Sequence, residues 1–300
     1  FNKEALAYTA IANLSIPSQV NKIEEGAFSH CSFMKTVQFS TNSPLENIDK
    51  NTFFSSSLER IIIPDNVQTI GANAFSLCDR LFSVEFSEKS ELTSIEKNAF
   101  SCTPIKAIKI PQLVKKIGEC AFISCSNLRL VEFHKYSELR YIEKDAFSYT
   151  SIERIIPTCV SEIGEFAFSC CENLESVEFT KYCDLRLIGK EAFASSSIES
   201  IKIPSRVKQI GEFAFDDCIN LSIVEFSDDS ELSIIDKNAF SFTSIEKITL
   251  PSTVKEICRY AFCDCRNLRV VKIKSNSELF TIGRFAFQNA DLDYLFIPSQ

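Results

Sequence analysis

A proline preceded by isoleucine or leucine recurs seven times along the chain, at Ile16-Pro17, Ile63-Pro64, Ile110-Pro111, Ile156-Pro157, Ile203-Pro204, Leu250-Pro251 and Ile297-Pro298. Every step is 47 residues, save one of 46 into Ile156. A fixed period of that size marks a solenoid, whose units bury their apolar faces against each other. Solenoids work through long surfaces, so the period also directs attention away from a catalytic pocket.

A second phrase, Ala-Phe, appears twice in each unit, with Thr52-Phe53 the one departure. Its phenylalanines are Phe28, Phe53, Phe75, Phe100, Phe122, Phe147, Phe168, Phe193, Phe215, Phe240, Phe262 and Phe287, at alternating steps of 25 and 22 residues with a single 21. The building block is therefore a coil of 21–25 residues in two flavours. The first reads Leu58-x-x-Ile61-x-Ile63-Pro64-x-x-Val67-x-x-Ile70-Gly71-x-x-Ala74-Phe75-x-x-Cys78, and the second runs from Leu81-x-x-Val84-x-Phe86 through Leu92-x-x-Ile95 to Ala99-Phe100. The alternating apolar residues that open each coil predict a short strand with one buried face. The Ala-Phe segment is expected to be a short helical or 3₁₀ turn. Six of the seven glycines (Gly71, Gly118, Gly164, Gly189, Gly211, Gly283) directly follow the second isoleucine, which suggests a tight turn with φ > 0. The missing residue between Ile152 and Pro157 predicts a local irregularity in that strand.

The L-x-x-I-x-I-P strand, the I-G-x-x-A-F turn and the trailing Cys resemble the BspA-like leucine-rich repeats, also called the TpLRR class. The motifs cover about twelve coils, residues 11 to 298. The resemblance implies an α/β repeat solenoid, a leucine-rich-repeat arc with a parallel β-sheet on its concave face and coils paired as 47-residue units. It also implies adhesion, since members are common on the surfaces of mucosal bacteria and parasitic protists; the alternation of two coil types resembles the protist members more.

No linker or low-complexity run interrupts the array, so residues 1–300 read as a single solenoid. Neighbouring strands lie about 4.8 Å apart, and twelve coils imply a sheet roughly 55 Å long. The chain starts at Phe1 and ends at Gln300 in mid-coil, so it reads as a fragment, with targeting sequences or an anchor expected outside it. A net charge of −8 argues against nucleic acid. No apolar run approaches a membrane span.

Thirteen cysteines suggest a disulfide scaffold until their register is read. Cys31, Cys78, Cys125, Cys171, Cys218 and Cys265 each lie three residues after the Phe of a first-flavour coil, alternating with Ser56, Thr103, Thr150, Ser196, Thr243 and Ala290 of the second. Equivalent cysteines are then two coils, roughly 10 Å, apart, whereas a disulfide needs Cα atoms within about 7 Å. They are expected to be buried thiols. Cys102, Cys120, Cys159, Cys170, Cys183, Cys258 and Cys263 fall outside the register. No C-x-x-C pair accompanies them and both histidines, His30 and His134, are remote, so neither metal nor cofactor is expected.

Strand positions 3 and 5 point away from the core, onto the presumed concave sheet. Position 5 alternates in charge through the middle, Glu85, Lys109, Glu132, then Glu178, Lys202, Glu225. Two readings fit: a self-satisfied ladder that keeps the sheet soluble and in register, its pairs worth about 0.2–1 kcal/mol each, or a charged strip that reads a partner. Position 3 is irregular, and its apolar members Leu130, Ile223 and Val270, with Tyr294 and Phe296, bias the C-terminal half toward a sticky surface. The candidate partner-binding set is Arg60, Glu85, Lys109, Leu130, Glu132, Arg154, Glu178, Lys202, Ile223, Glu225, Lys247, Val270 and Tyr294.

The chain has no H-E-x-x-H, G-x-S-x-G or Gly-rich phosphate loop. The expectation is a non-catalytic protein-binding module. The resemblance narrows it to an adhesin-like protein, surface-exposed or secreted, that contacts host or neighbouring-cell proteins. An intracellular structural scaffold is the rival reading, motivated by the abundant thiols.

Overall fold

The computed structural model describes residues 1–157, 160–180 and 183–298. The chain divides into two compact units, Phe1–Ile152 and Glu153–Gln300. Each is a stack of parallel-strand coils, and every described strand pairing is parallel and in register.

A coil has three sides. The first is a strand of two to four residues, such as Ala107–Ile110 or Ile223–Phe226. Its pleat turns alternate residues inward, so Ile108 and Ile110 are buried while Ala107 and Lys109 are exposed. The second side is a two-residue strand such as Lys116–Ile117, whose isoleucine enters the core. The third is the Ala-Phe segment. Leu130 pairs with Ala107, Val131 with Ile108 and Glu132 with Lys109, so equivalent positions form columns from coil to coil.

The Ala-Phe side departs from the helical turn that its sequence suggests: no described residue is helical. Two residues per coil, two before and two after the phenylalanine, adopt left-handed backbone, as at Asn98 (φ 55°) and Cys102 (φ 57°) around Phe100. A left-handed residue at every fourth position breaks a right-handed helix. It also aims alternate N–H groups at the next coil. Asn98, Phe100 and Cys102 donate to the carbonyls of Glu119, Ala121 and Ile123 at 2.8–2.9 Å, while Ala99 and Ser101 close turns within their own coil. Left-handed backbone costs roughly 1–2 kcal/mol per residue. The inter-coil bonds offset that cost, because a stacked turn without them would bury unpaired amides.

The glycines also differ from expectation. Among the described residues Gly26 is the only glycine with positive φ, at 65°. Gly71, Gly118, Gly189, Gly211 and Gly283 are instead places where two coils touch. A Cβ on Gly118 would lie 2.8 Å from the carbonyl carbon of Glu96 and 2.9 Å from Ile95 O and Lys97 N, all backbone of the preceding coil.

Phenylalanine rings fill the core between the three sides. In the first unit Phe28 through Phe147 stack at centroid separations of 5.2–5.4 Å, with Phe75 and Phe100 1° from parallel. Phe168 through Phe287 do the same in the second at 5.2–5.3 Å. Beside them runs the cysteine column. Cys78, Cys125, Cys218 and Cys265 are free, buried thiols. Each donates to the carbonyl of the preceding coil's phenylalanine at 3.0–3.1 Å, with the hydroxyl of Ser56, Thr103, Ser196 or Thr243 alongside at 3.2–3.4 Å. Burial pushes these thiols up, Cys78 to about 12 and the other three to about 11. Cys31 and Cys171 are buried at the matching positions.

The irregular strand is Arg154–Ile155, two residues long. Ile155 is buried and Ile156 is 37% exposed, whereas Ile63, Ile110 and Ile203 before their prolines are buried. With one residue missing, Ile156 takes the outward place that Lys109, Lys202 and Thr249 hold in other coils.

Candidate functional site

In each unit the candidate residues lie on the outward side of the first-side strands, with Glu178 one residue past Ser176–Val177. In the first unit Arg60, Glu85, Lys109, Leu130 and Glu132 are exposed on strands Arg60–Ile62, Ser83–Glu85, Ala107–Ile110 and Leu130–Phe133. In the second, Arg154, Glu178, Lys202, Ile223, Glu225, Lys247 and Tyr294 are exposed and Val270 is half-buried. Register places Ile62 beside Glu85, Lys109 beside Glu132, Lys202 beside Glu225, Lys247 beside Val270, and Val270 beside Tyr294.

Adjacency does not produce a self-satisfied ladder. Lys109 turns from Glu132 and pairs with Glu88, past the end of the previous coil's strand, at 2.6 Å. Lys274 reaches Asp228 across two coils, also at 2.6 Å. Arg154 meets Glu178 at 2.6 Å, joining position 3 to position 5 of the next strand. Among the described residues Glu132, Lys202, Glu225 and Lys247 make no ion pair within 4.0 Å, and the Glu85 carboxylate accepts only the Ser83 hydroxyl at 3.1 Å. Exposed pairs return too little energy to immobilise two long side chains. Hydrogen bonding to Lys109 holds the Glu88 carboxyl below its usual range, and Lys274 does the same for Asp228.

The face is hollowed in both units. The first has a small pocket of 30 Å³ at Lys109, Glu88 and His134. The second has an open cleft of 380 Å³ whose lining includes Lys202, Ile223, Glu225, Lys247, Thr249 and Lys274. Ile223 is 54% exposed there and Phe226 is half-buried at its edge. No group of His, Cys, Asp and Glu able to hold a metal exists among the described residues. Cys258, Cys263 and Cys265, close in sequence, form no such site; Cys263 donates to Asp264 at 3.3 Å. Cys159 lies outside the described residues.

Parallel coils of 21–25 residues thus stack on one phenylalanine each, buried from Phe28 to Phe262 and half-buried at Phe287. A family model described as the BspA type leucine-rich repeat region matches in six copies, over residues 1–129, 93–185 and 186–300. The chain belongs to this family. A leucine-rich repeat protein from Bacteroides ovatus shares its fold with a TM-score of 0.73 and 25% identity, over 96% of this chain and 79% of that one. The pneumococcal vaccine antigen PcpA is similar with a TM-score of 0.52 and 23% identity, over 88% of this chain and 62% of that one, a likeness of fold alone. Comparison with curated protein sequences gave no match.

Within the BspA-type coil, reading strand positions 3 and 5 alone misses Glu88, Asp228 and Lys274, the residues just beyond the strand that steer its charges. They were legible only as opposite charges one or two coils away. Tyr294 and Phe296 stand exposed with rings parallel at 6.3 Å, beside exposed Leu295 and Ile297. No described helix is long and apolar enough to cross a membrane.

Proposed function

We propose that the chain is a non-catalytic protein-binding module, displayed at a cell surface or secreted. Its outward strand face contacts host or neighbouring-cell proteins, with the greater share of contact in the second unit. One observation carries this reading: on that face Glu85, Glu132, Lys202, Glu225 and Lys247 have no ion-pair partner among the described residues, while the core beneath repeats almost without change. Exposed apolar residues stand among these charges, Leu130 at 46% and Ile223 at 54%. Apolar anchors within a polar surround are the usual anatomy of a protein interface. The fold likeness to a vaccine antigen accords with surface display. The column thiols do not bear on an intracellular scaffold, because a thiol buried and held protonated resists oxidation wherever it resides; that rival rests on exposed Cys102 and half-buried Cys120, Cys170 and Cys258.

The test has two parts. Antibody against the repeats should stain intact cells; staining only after permeabilisation refutes surface display. The purified chain should bind at least one member of a panel of extracellular-matrix and cell-surface proteins, and Leu130→Glu with Ile223→Glu should abolish that binding while the unfolding midpoint holds. Unchanged binding refutes the face.

A further inference from the structure

Resting on that reading of the outward face, we infer that the cleft of the second unit receives an acidic segment of the partner protein, one with a carboxylate beside an apolar side chain. The lining holds three lysines, Lys202, Lys247 and Lys274, against two carboxylates, Glu225 and Asp228. Lys274 and Asp228 neutralise each other at 2.6 Å. Lys202 and Lys247 remain without an ion-pair partner among the described residues, and Glu225, in register with Lys202, is not within 4.0 Å of it. The cleft is therefore a cationic hollow on a chain of net charge −8, a local reversal of the average composition.

The geometry supplies the rest. Lys202 lies on the strand before Ile223–Phe226, in register with Glu225, and Lys247 on the strand after it, which starts a separate sheet, so the cleft opens where the two sheets part. Ile223 and Glu225 project from the strand between them into the same cleft, with half-buried Phe226 at the edge. One apolar side chain can rest on Ile223 while a neighbouring carboxylate reaches either ammonium. Glu225 is left to accept a backbone N–H of the bound segment. A basic segment would meet like charge, and a wholly apolar one would cover two ammonium groups without pairing them. The first unit makes the contrast: the lysine of its hollow, Lys109, is already paired with Glu88 at 2.6 Å.

The experiment pans a phage-displayed library of random linear dodecapeptides on the purified chain and titrates the recovered peptides. The expected result is enrichment of Asp and Glu next to Leu, Ile, Val or Phe. Affinity for these peptides should fall about tenfold in Lys202→Glu with Lys247→Glu, since each reversal replaces a modest attraction by a similar repulsion. Lys89→Glu with Lys106→Glu, an equal charge change elsewhere, should leave affinity unchanged. Recovery without acidic enrichment, no recovery, or equal loss in both double variants overturns the inference; circular dichroism of each variant separates misfolding from lost binding. These outcomes are distinct from failure of the proposed function. Partner binding lost in Ile223→Glu while acidic peptides fail to bind would retain the face and reject this ligand chemistry. Acidic peptides bound while partner binding survives Leu130→Glu with Ile223→Glu would reject the face.

Discussion

Replacing Gly118 distinguishes two explanations of the repeat's most regular glycine. An Ala Cβ at this position would meet three backbone atoms of the preceding coil at 2.8–2.9 Å, against roughly 3.4 Å for ordinary contact. Backbone cannot swing aside, so the coils must part by about half an ångström. The bond from Gly118 N–H to the Ile95 carbonyl, now 2.8 Å, lengthens with them. Overpacking costs about 1–3 kcal/mol and the weakened hydrogen bond about 1 kcal/mol, so Gly118→Ala should lose about 2–4 kcal/mol. Gly118→Asn, with the larger side chain, should lose at least as much. Gly26 is the control, because its φ is +65° and a Cβ there meets side chains and no backbone, Glu4 at 3.1 Å and Ser29 at 3.6 Å. Asn tolerates left-handed backbone better than Ala, so Gly26→Asn should be the milder of its two changes. Urea unfolding followed by far-UV circular dichroism measures all four, with the slope checked for constancy. If Asn recovers most of what Ala loses at position 118, close approach is the wrong explanation. Cys258 holds the matching position of another coil, so the approach is not equally tight everywhere.

The phenylalanine column gives a second expectation. Phe215 lies between Phe193 at 5.3 Å and Phe240 at 5.2 Å with no solvent exposure, and Phe215→Ala should cost about 3–5 kcal/mol by equilibrium unfolding. Phe215→Leu keeps most of the volume but loses two ring stacks of about 0.5–1.5 kcal/mol each; a Leu variant as stable as the native chain would deny the stacks any role. The buried thiols predict alkaline unfolding. Below pH 9 a thiol is protonated whether the chain is folded or not and adds no pH dependence. Above it the unfolded chain ionises while Cys125, Cys218 and Cys265 stay protonated to about 11 and Cys78 to about 12. Stability should therefore fall with rising pH between 9 and 11, by about 1.4 kcal/mol per unit for each thiol, and Cys218→Ser should make that fall shallower. An identical slope in Cys218→Ser would contradict the assignment.

Much of this architecture is legible in the sequence because a column repeats one physical demand many times. The phenylalanine spacing marks the ring stack, the cysteine register rules out pairing along its column, and the one-residue deletion before Pro157 marks the strand that shortens to Arg154–Ile155. The handedness of the Ala-Phe side is not legible, because residues as different as Asn98, Cys102, Phe166 and Tyr260 all adopt left-handed backbone. Bonding between coils imposes that conformation, and no residue preference advertises it. The role of Gly118 is hidden for a related reason: the atoms that exclude a Cβ belong to residues 95–97. Charge pairing on the outward face is equally non-local. Alternation of Glu and Lys at position 5 suggests rungs between neighbouring strands, but Lys109 finds Glu88, 21 residues back, and Lys274 finds Asp228, 46 residues back.

The same non-locality explains how such a scaffold can carry specificity. Inward columns are coupled, since each ring, thiol and glycine is held by the coils before and after it. Outward residues are coupled only through exposed ion pairs worth at most about 1 kcal/mol, so substitutions there are nearly independent of folding and of each other when well separated. A coil can therefore exchange Glu88, which closes a hollow around Lys109, for an arrangement that leaves Lys202 and Lys247 open, without disturbing the stack beneath. The positions that say least about the fold are for that reason the ones free to differ from coil to coil, and it is there, at the cleft beside Ile223, that the proposed partner site is drawn.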